Sequence, residues 1–295
     1  MSQATHELSS ATFVSLKAFG DLVILRRMLD KAPRSRSSGP TVIIASHLLE
    51  LFRSLGEFAS KYVVLDSGTQ VPALFDVRRR GVRRATQSAW NLRTQLSRTN
   101  LDRGTTLIFD RVGWRERFIA SHYASAGLPD APNIYIAYRE TGMFGDPSSV
   151  LSRTLRLPAK SVGIFPASRL DGKNVPTQVV AQVVDASSKA GLRPSVFLLE
   201  GERPDLEGSP YCVQRVPRSF SALATAVRSV DLVISADSLP AHLAEYFEVP
   251  VFVVTAVENR YWLPLTAYQA NRWARFNELA SRSRLHDFFM QARSA

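Results

Sequence analysis

Three short stretches carry residue types that can handle an anion or a proton. In SLKAFGDLVIL, residues 15–25, Asp21 follows Gly20 where one apolar segment stops and another begins. Two readings are open for Asp21. It caps the following helix, since a carboxylate accepts hydrogen bonds from first-turn N–H groups, or it stands at the carboxyl end of a strand, where open α/β sheets bind ligands. In SVGIFPASRLDGKNVP, residues 161–176, an apolar strand runs into a polar loop. Ser168 can donate to phosphate oxygens there, Arg169 and Lys173 can neutralise them, and Pro176 is suited to open the next helix. In DLVISADSLPAHLAEYFEVPVFVV, residues 231–254, a buried strand ends at Ser235–Ala236, Asp237 and Ser238 follow, and a helix is expected from near Pro240. Asp237 and Ser238 read as capping side chains at a helix N-terminus, whose N–H groups attract anions, and His242 falls on its first turn. Neither G-x-x-x-x-G-K-[ST] nor G-x-G-x-x-G occurs, so no P-loop and no standard dinucleotide fingerprint is present.

These residues need strands that end at a common edge, and the sequence supplies them. Apolar or β-branched runs predict strands at 12–16, 41–45, 62–66, 105–109, 133–138, 161–165, 195–200, 231–236 and 249–255. Helix-length segments lie between many of them, at 47–60, 114–126, 176–190, 219–228 and 240–247. Unbroken apolar strands spaced by helices indicate parallel sheets covered on both faces. Nine strands are many for one simple sheet, and the DPSSVLSRTLRLP segment at 146–158 reads as a linker. The division expected is an N-terminal α/β domain over 1–150, a C-terminal α/β domain over 158–268, and a terminal helix over 269–295. In that last stretch Trp273, Phe276, Ala280, Leu285 and Phe289 fall near a helical period.

Composition narrows the class. The chain of 295 residues is 45% hydrophobic and 21% charged, which suits a globular protein with a real core. No apolar run reaches the roughly 18 residues of a membrane span, and MSQATHELSS lacks the charged and apolar regions of a secretory signal. Cys212 is the single cysteine, so no intrachain disulfide can form and a reducing cytosol is expected. The five histidines form no ligand cluster, and neither a metal nor a cofactor is expected. A net charge of +11 favours anionic partners. Its densest stretch is RRRGVRR at 78–84, with Arg79, Arg80, Arg83 and Arg84. It is either a solvated face or a surface for an anionic partner. Nucleic acid is disfavoured, because no zinc-finger spacing and no RNP-like aromatic run accompanies it.

Taken together and in order, the three stretches resemble the heptosyltransferase family, glycosyltransferase family nine, whose members have the GT-B fold. The resemblance rests on Gly20–Asp21, on Pro-Ala-Ser at 166–168 with Lys173 and Pro176, and on ADSLPAHLAEYFEVPV, and it spans roughly residues 12–255. It implies two Rossmann-like doubly wound domains facing a central cleft. The implied reaction is inverting, metal-independent transfer of a sugar from a nucleotide diphosphate donor, ADP-heptose among them, to a bacterial surface glycan such as lipopolysaccharide core. Asp21 would be the general base. Ser168, Arg169, Lys173, Asp237, Ser238 and His242 would hold the donor, and Arg79, Arg80, Arg83 and Arg84 would face the acceptor or the cytoplasmic face of the membrane. The resemblance also implies a C-terminal helix packed back on the first domain. Leu239 stands where the family has glycine, and Asn174 and Val175 stand where Arg-Trp is common. The alternative is a catalytically inactive nucleotide-sugar-binding protein or partner subunit of a glycan-assembly complex.

Overall fold

The computed structural model describes residues 11–32, 40–66, 68, 81–144, 158–279 and 283–294. The 146–157 part of the linker stretch and Arg78, Arg79 and Arg80 lie outside them. The described chain forms two compact α/β units.

The first unit is a parallel sheet of five strands in the order β3-β2-β1-β4-β5. Its strands are β1 (Ala11–Ser15), β2 (Thr41–Ala45), β3 (Tyr62–Leu65), β4 (Thr106–Phe109) and β5 (Ala124–Gly127). The helices are α1 (Phe19–Asp30), α2 (Leu49–Ser54), α3 (Val82–Ser97), α4 (Trp114–Ile119) and α5 (Ile134–Glu140). Strand β1 is buried along its whole length between β2 and β4, with Val14 opposite Ile43 on one side and Phe109 on the other. The unbroken apolar runs follow from this, because each face of a central parallel strand is covered by helices.

The second unit is a parallel sheet of six strands in the order β11-β10-β9-β6-β7-β8. It contains β6 (Ser161–Phe165), β7 (Arg193–Leu199), β8 (Val213–Val216), β9 (Leu232–Ala236), β10 (Val251–Thr255) and β11 (Trp273–Arg275). Its helices are α6 (Thr177–Lys189), α7 (Phe220–Arg228), α8 (Leu239–Tyr246), α9 (Leu265–Gln269) and α10 (Ser283–Ser294). Gly163 at the middle of β6 is required by packing: a Cβ there would lie 2.9 Å from both Phe165 and Val230.

Three expectations change. Residues 133–138 are the start of a helix, not a strand. Asn133 accepts from the N–H of Tyr135 at 3.0 Å, the local bonding that favours a helix start. Its amide also donates to the carbonyls of Arg260 and Leu263 at 3.1 and 3.0 Å, so residues 131–136 belong to the second unit. The chain then returns to the first unit, where Tyr138 and Phe144 pack on Phe13 with ring centroids 6.0 and 5.1 Å away.

The terminal stretch differs as well. Trp273 belongs to strand β11, and the helix described is Ser283–Ser294. The apolar side of α10, Leu285, Phe288, Phe289 and Ala292, is part of the second unit's own core, and the Ala159 N–H donates to the Ala292 carbonyl at 3.0 Å. Finally, the helix expected over 114–126 stops at Ile119, and residues 124–127 form edge strand β5.

Candidate functional site

Each sheet has one point where the strand order reverses, between β1 and β4 in the first and between β6 and β9 in the second. Loops leaving the carboxyl ends of the two strands diverge there, opening the crevice in which doubly wound sheets bind ligands. Both points carry a lysine paired with a carboxylate.

In the second unit Lys173 follows β6 and Asp237 follows β9. The Lys173 Nζ lies 2.6 Å from Asp237 Oδ2, with the aspartate side chain almost fully buried and the lysine about one-third exposed. The loop after β6 folds back on itself: the Ser168 N–H donates to Asn174 Oδ1 at 2.7 Å, and the Val175 N–H donates to the Pro166 carbonyl at 2.9 Å. This holds residues 166–175 as a rigid cradle, with Lys173 at the end of a short 3₁₀ turn over Asp171–Lys173. Asn174 is thus a brace of the loop. Arg169 is exposed on it.

Ser238 occupies the N-cap position of α8 but does not cap it with its side chain. Its hydroxyl donates instead to the Ala167 carbonyl at 3.1 Å, tying α8's start to the cradle. The capping expected of Asp237 and Ser238 is therefore replaced by two cross-links, one ionic and one hydrogen-bonded, from β9 to the β6 loop. The N-terminal N–H groups of α8 keep their anion-attracting character. His242 lies one turn into α8 and is buried, with Nδ1 making no hydrogen bond. Burial drives its pKa down to about 4; the Asp237 charge opposes this and Lys173 adds to it. Near neutral pH it is an uncharged imidazole beside an ion pair. Leu239, where the resembling family has glycine, occupies the first position of α8 and is half-buried.

In the first unit Lys17 follows β1. Its ammonium sits 3.0 Å from Asp110 Oδ1, just beyond β4, and 3.2 Å from Glu116 Oε1 in α4. All three side chains are less than one-fifth exposed. Burial presses the Lys17 pKa down, but the two carboxylates outweigh it and hold it above the ordinary lysine value. The other Glu116 oxygen accepts from the Gly113 N–H at 2.7 Å, and His47 Nε2 lies 3.2 Å from the Lys17 carbonyl. Sequence reading passed over Lys17, Asp110 and Glu116. The available signal was positional: Asp110 directly follows the TLIF strand, as Asp237 directly follows LVISA.

Asp21 lies in the first turn of α1, half-buried and four residues beyond Lys17. The cap position belongs to Ala18, which has extended backbone and offers no side-chain bond. Gly20 lies inside the same helical turn, so the turn between strand and helix is made by residues 16–18. Asp21 is thus a first-turn carboxylate, favoured there by the helix dipole. Arg83 and Arg84 are exposed at the start of α3. Among the described residues no group of three or more His, Cys, Asp and Glu side chains is arranged to hold a metal, and no helix is long and apolar enough to cross a membrane.

No protein-family model matches the chain, and no curated protein matches it in sequence. Solved structures do match in fold. The Escherichia coli heptosyltransferase WaaC with ADP superposes with a TM-score of 0.65 at 13% identity, covering 95% of this chain and 99% of that one. A glycosyltransferase of family nine from Veillonella parvula gives 0.59 at 14% identity, covering 92% and 88%. The UDP-GlcNAc 2-epimerase of Methanocaldococcus jannaschii gives 0.51 at 9%, covering 97% and 92%. With two doubly wound parallel sheets and this coverage, the chain has the GT-B fold of the heptosyltransferase structures.

Proposed function

We propose that the chain is an inverting, metal-independent glycosyltransferase that moves a sugar from a nucleotide diphosphate donor to a bacterial surface glycan. ADP-heptose and lipopolysaccharide core are the reference donor and acceptor. The fold alone does not choose this chemistry, since an epimerase shares it. The observation that carries the reading is the Lys173–Asp237 pair at the second sheet's reversal point, beside the N-terminus of α8. A leaving diphosphate needs positive charge already in place, and a preorganised ammonium and helix N-terminus supply it without reorganisation. Lys173, helped by Arg169 and Ser168, serves the phosphates. Asp237 and Ser238 serve the sugar side, since a carboxylate accepts from sugar hydroxyls but repels phosphate. His242 stays neutral and shapes the wall.

In the transfer, an acceptor hydroxyl oxygen forms a bond to the anomeric carbon as the bond from that carbon to the diphosphate oxygen breaks. Asp21 takes the hydroxyl proton, and the nucleotide diphosphate leaves with the bonding electron pair. The basic segment containing Arg83 and Arg84 serves the anionic acceptor, in peripheral contact with the cytoplasmic membrane face. Titration calorimetry with ADP, UDP and ADP-heptose, on the parent and Lys173→Ala, tests the donor site. Micromolar binding of a nucleotide diphosphate that weakens in the variant is expected; absence of binding by all three rejects the reading.

A second reading has its own observation. Leu239 puts a side chain at the first position of α8, where glycine would let a diphosphate approach the backbone. A nucleotide-sugar-binding protein without turnover follows if the donor binds but no nucleotide is released in the presence of acceptor. Leu239→Gly then decides whether this side chain is what prevents turnover.

A further inference from the structure

Of the seven large hydrophobic side chains left exposed among the described residues, three cluster on α3 and α4: Val82, Trp90 and Trp114. Trp114 is 74% exposed and Trp90 58%. Helix α3 buries Ala85, Ser88, Ala89, Leu92 and Leu96, which leaves Val82, Thr86, Trp90 and Arg93 along its outer side at one-turn spacing. Helix α4 packs beside it and brings Phe118 within 6.0 Å of the Trp90 ring.

Arginines cover this aromatic strip. The Arg93 guanidinium lies 4.8 Å from the Phe118 ring centre and 5.5 Å from that of Trp90, and Arg115 lies 5.4 Å from that of Trp114. Arg83, Arg84 and Arg117 are exposed on the same two helices. There is no opposing charge on them: α3 has no acidic residue, and the one acid of α4, Glu116, is turned inward to Lys17 and the Gly113 N–H. On the outward side of these two helices the charges are all basic, beside exposed apolar rings.

We propose that the outer face of α3 and α4 docks on an anionic lipid bilayer, with Trp90 and Trp114 in the headgroup layer and the arginines on lipid phosphates. This deepens the membrane contact of the reading above by naming its surface. Indoles prefer the boundary between acyl chains and headgroups, and basic residues beside them add attraction to anionic lipid. Single-stranded nucleic acid also uses aromatic and basic residues, but it needs open ring faces for its bases. Here Trp90 already has a guanidinium on its ring and a neighbouring phenyl group.

The test uses the full chain without donor or acceptor, and sucrose-loaded vesicles of phosphatidylcholine with or without an equal share of phosphatidylglycerol. Sedimentation with the anionic vesicles is expected, weakening at about 0.5 M salt, and bromine on the lipid acyl chains should quench tryptophan fluorescence. The double variant W90S/W114S should bind about tenfold more weakly and lose the quenching, and R83S/R84S/R117S should lose the preference for anionic lipid. The proposal is overturned if the parent fails to sediment, or if W90S/W114S sediments and quenches like the parent. It is also overturned if a single-stranded oligonucleotide binds more tightly than the vesicles, with the same loss in W90S/W114S. ADP calorimetry on the same samples separates the two readings. Normal ADP binding without vesicle binding rejects only the docking face, and vesicle binding without ADP binding rejects only the donor site.

Discussion

Lys173 and Asp237 meet at 2.6 Å across the reversal point of the second sheet, one from the loop after β6 and the other from the end of β9. The pair fixes the ammonium before any ligand arrives. It also makes each residue the reason the other is tolerated, since Asp237 is nearly buried.

That interdependence can be measured. Lys173→Met leaves a buried carboxylate without its counter-charge and should destabilise the fold by about 1–3 kcal/mol. The double change K173M/D237N removes the stranded charge and should recover most of the loss. Urea unfolding of the four proteins gives the coupling. If the two single effects simply add, the pair has no structural part.

Donor affinity should fall by roughly 10- to 100-fold in Lys173→Ala, the scale of one hydrogen bond to a charged group. Calorimetry with the nucleotide diphosphate reads it directly. An unchanged affinity would place the phosphates elsewhere.

Asp21→Asn separates a proton acceptor from a first-turn carboxylate. As a base, its loss lowers kcat on the order of 10²–10⁴-fold while donor affinity holds. As a helix-dipole partner alone, it costs about 0.3–1 kcal/mol of stability with turnover intact. Steady-state kinetics and a melting curve on one preparation distinguish the outcomes.

His242 sets a pH dependence of stability. Its folded pKa of about 4 lies below the unfolded value of 6.5, so between them the unfolded chain binds more protons. Stability present above pH 6.5 is lost as pH falls towards 4, by an amount on the order of 3 kcal/mol. His242→Gln should flatten this slope in urea titrations at pH 7, 6 and 5. An equally steep slope in the variant would assign it to other groups.

In the first unit, Lys17→Met strands Asp110 and Glu116 together and should cost about 2 kcal/mol or more at pH 7. Adding Asp110→Asn removes one of the two stranded charges, so K17M/D110N should recover part of the loss in urea unfolding. No recovery in the double variant would mean that lost packing of the lysine stem dominates.

The strand pattern was legible where strands are buried on both faces. The cores β1, β2, β4, β6, β7, β9 and β10 all read as apolar runs. The three strands passed over, Ala124–Gly127, Val213–Val216 and Trp273–Arg275, are all sheet edges. One covered face, or small residues such as ASAG, leaves little hydrophobic signal. The opposite error at Asn133–Tyr138 arose because a buried helix of Ile, Tyr and Ala is as apolar as a strand. Lys173 and Asp237 could be singled out because one lies in the loop after an apolar strand and the other directly follows one, each within a recognisable motif. Their pairing could not, and neither could Lys17 with Asp110 and Glu116, because partnership across a sheet depends on strand order. Ser238 shows the same limit: its position at the helix start was readable, but its hydroxyl turns to Ala167 in a different loop.

Asn133 bears on how such a chain can be taken apart. Its amide serves two carbonyls of the second unit, yet it precedes Tyr138 and Phe144, which complete the Phe13 ring cluster of the first. No single cut in the backbone therefore yields two complete halves. A piece beginning at 158 lacks the amide for the Arg260 and Leu263 carbonyls, and a piece beginning at 131 robs the first half of its rings. Recombination that swaps second units between related chains would have to transplant a short upstream segment as well, so modular exchange is penalised by a single asparagine.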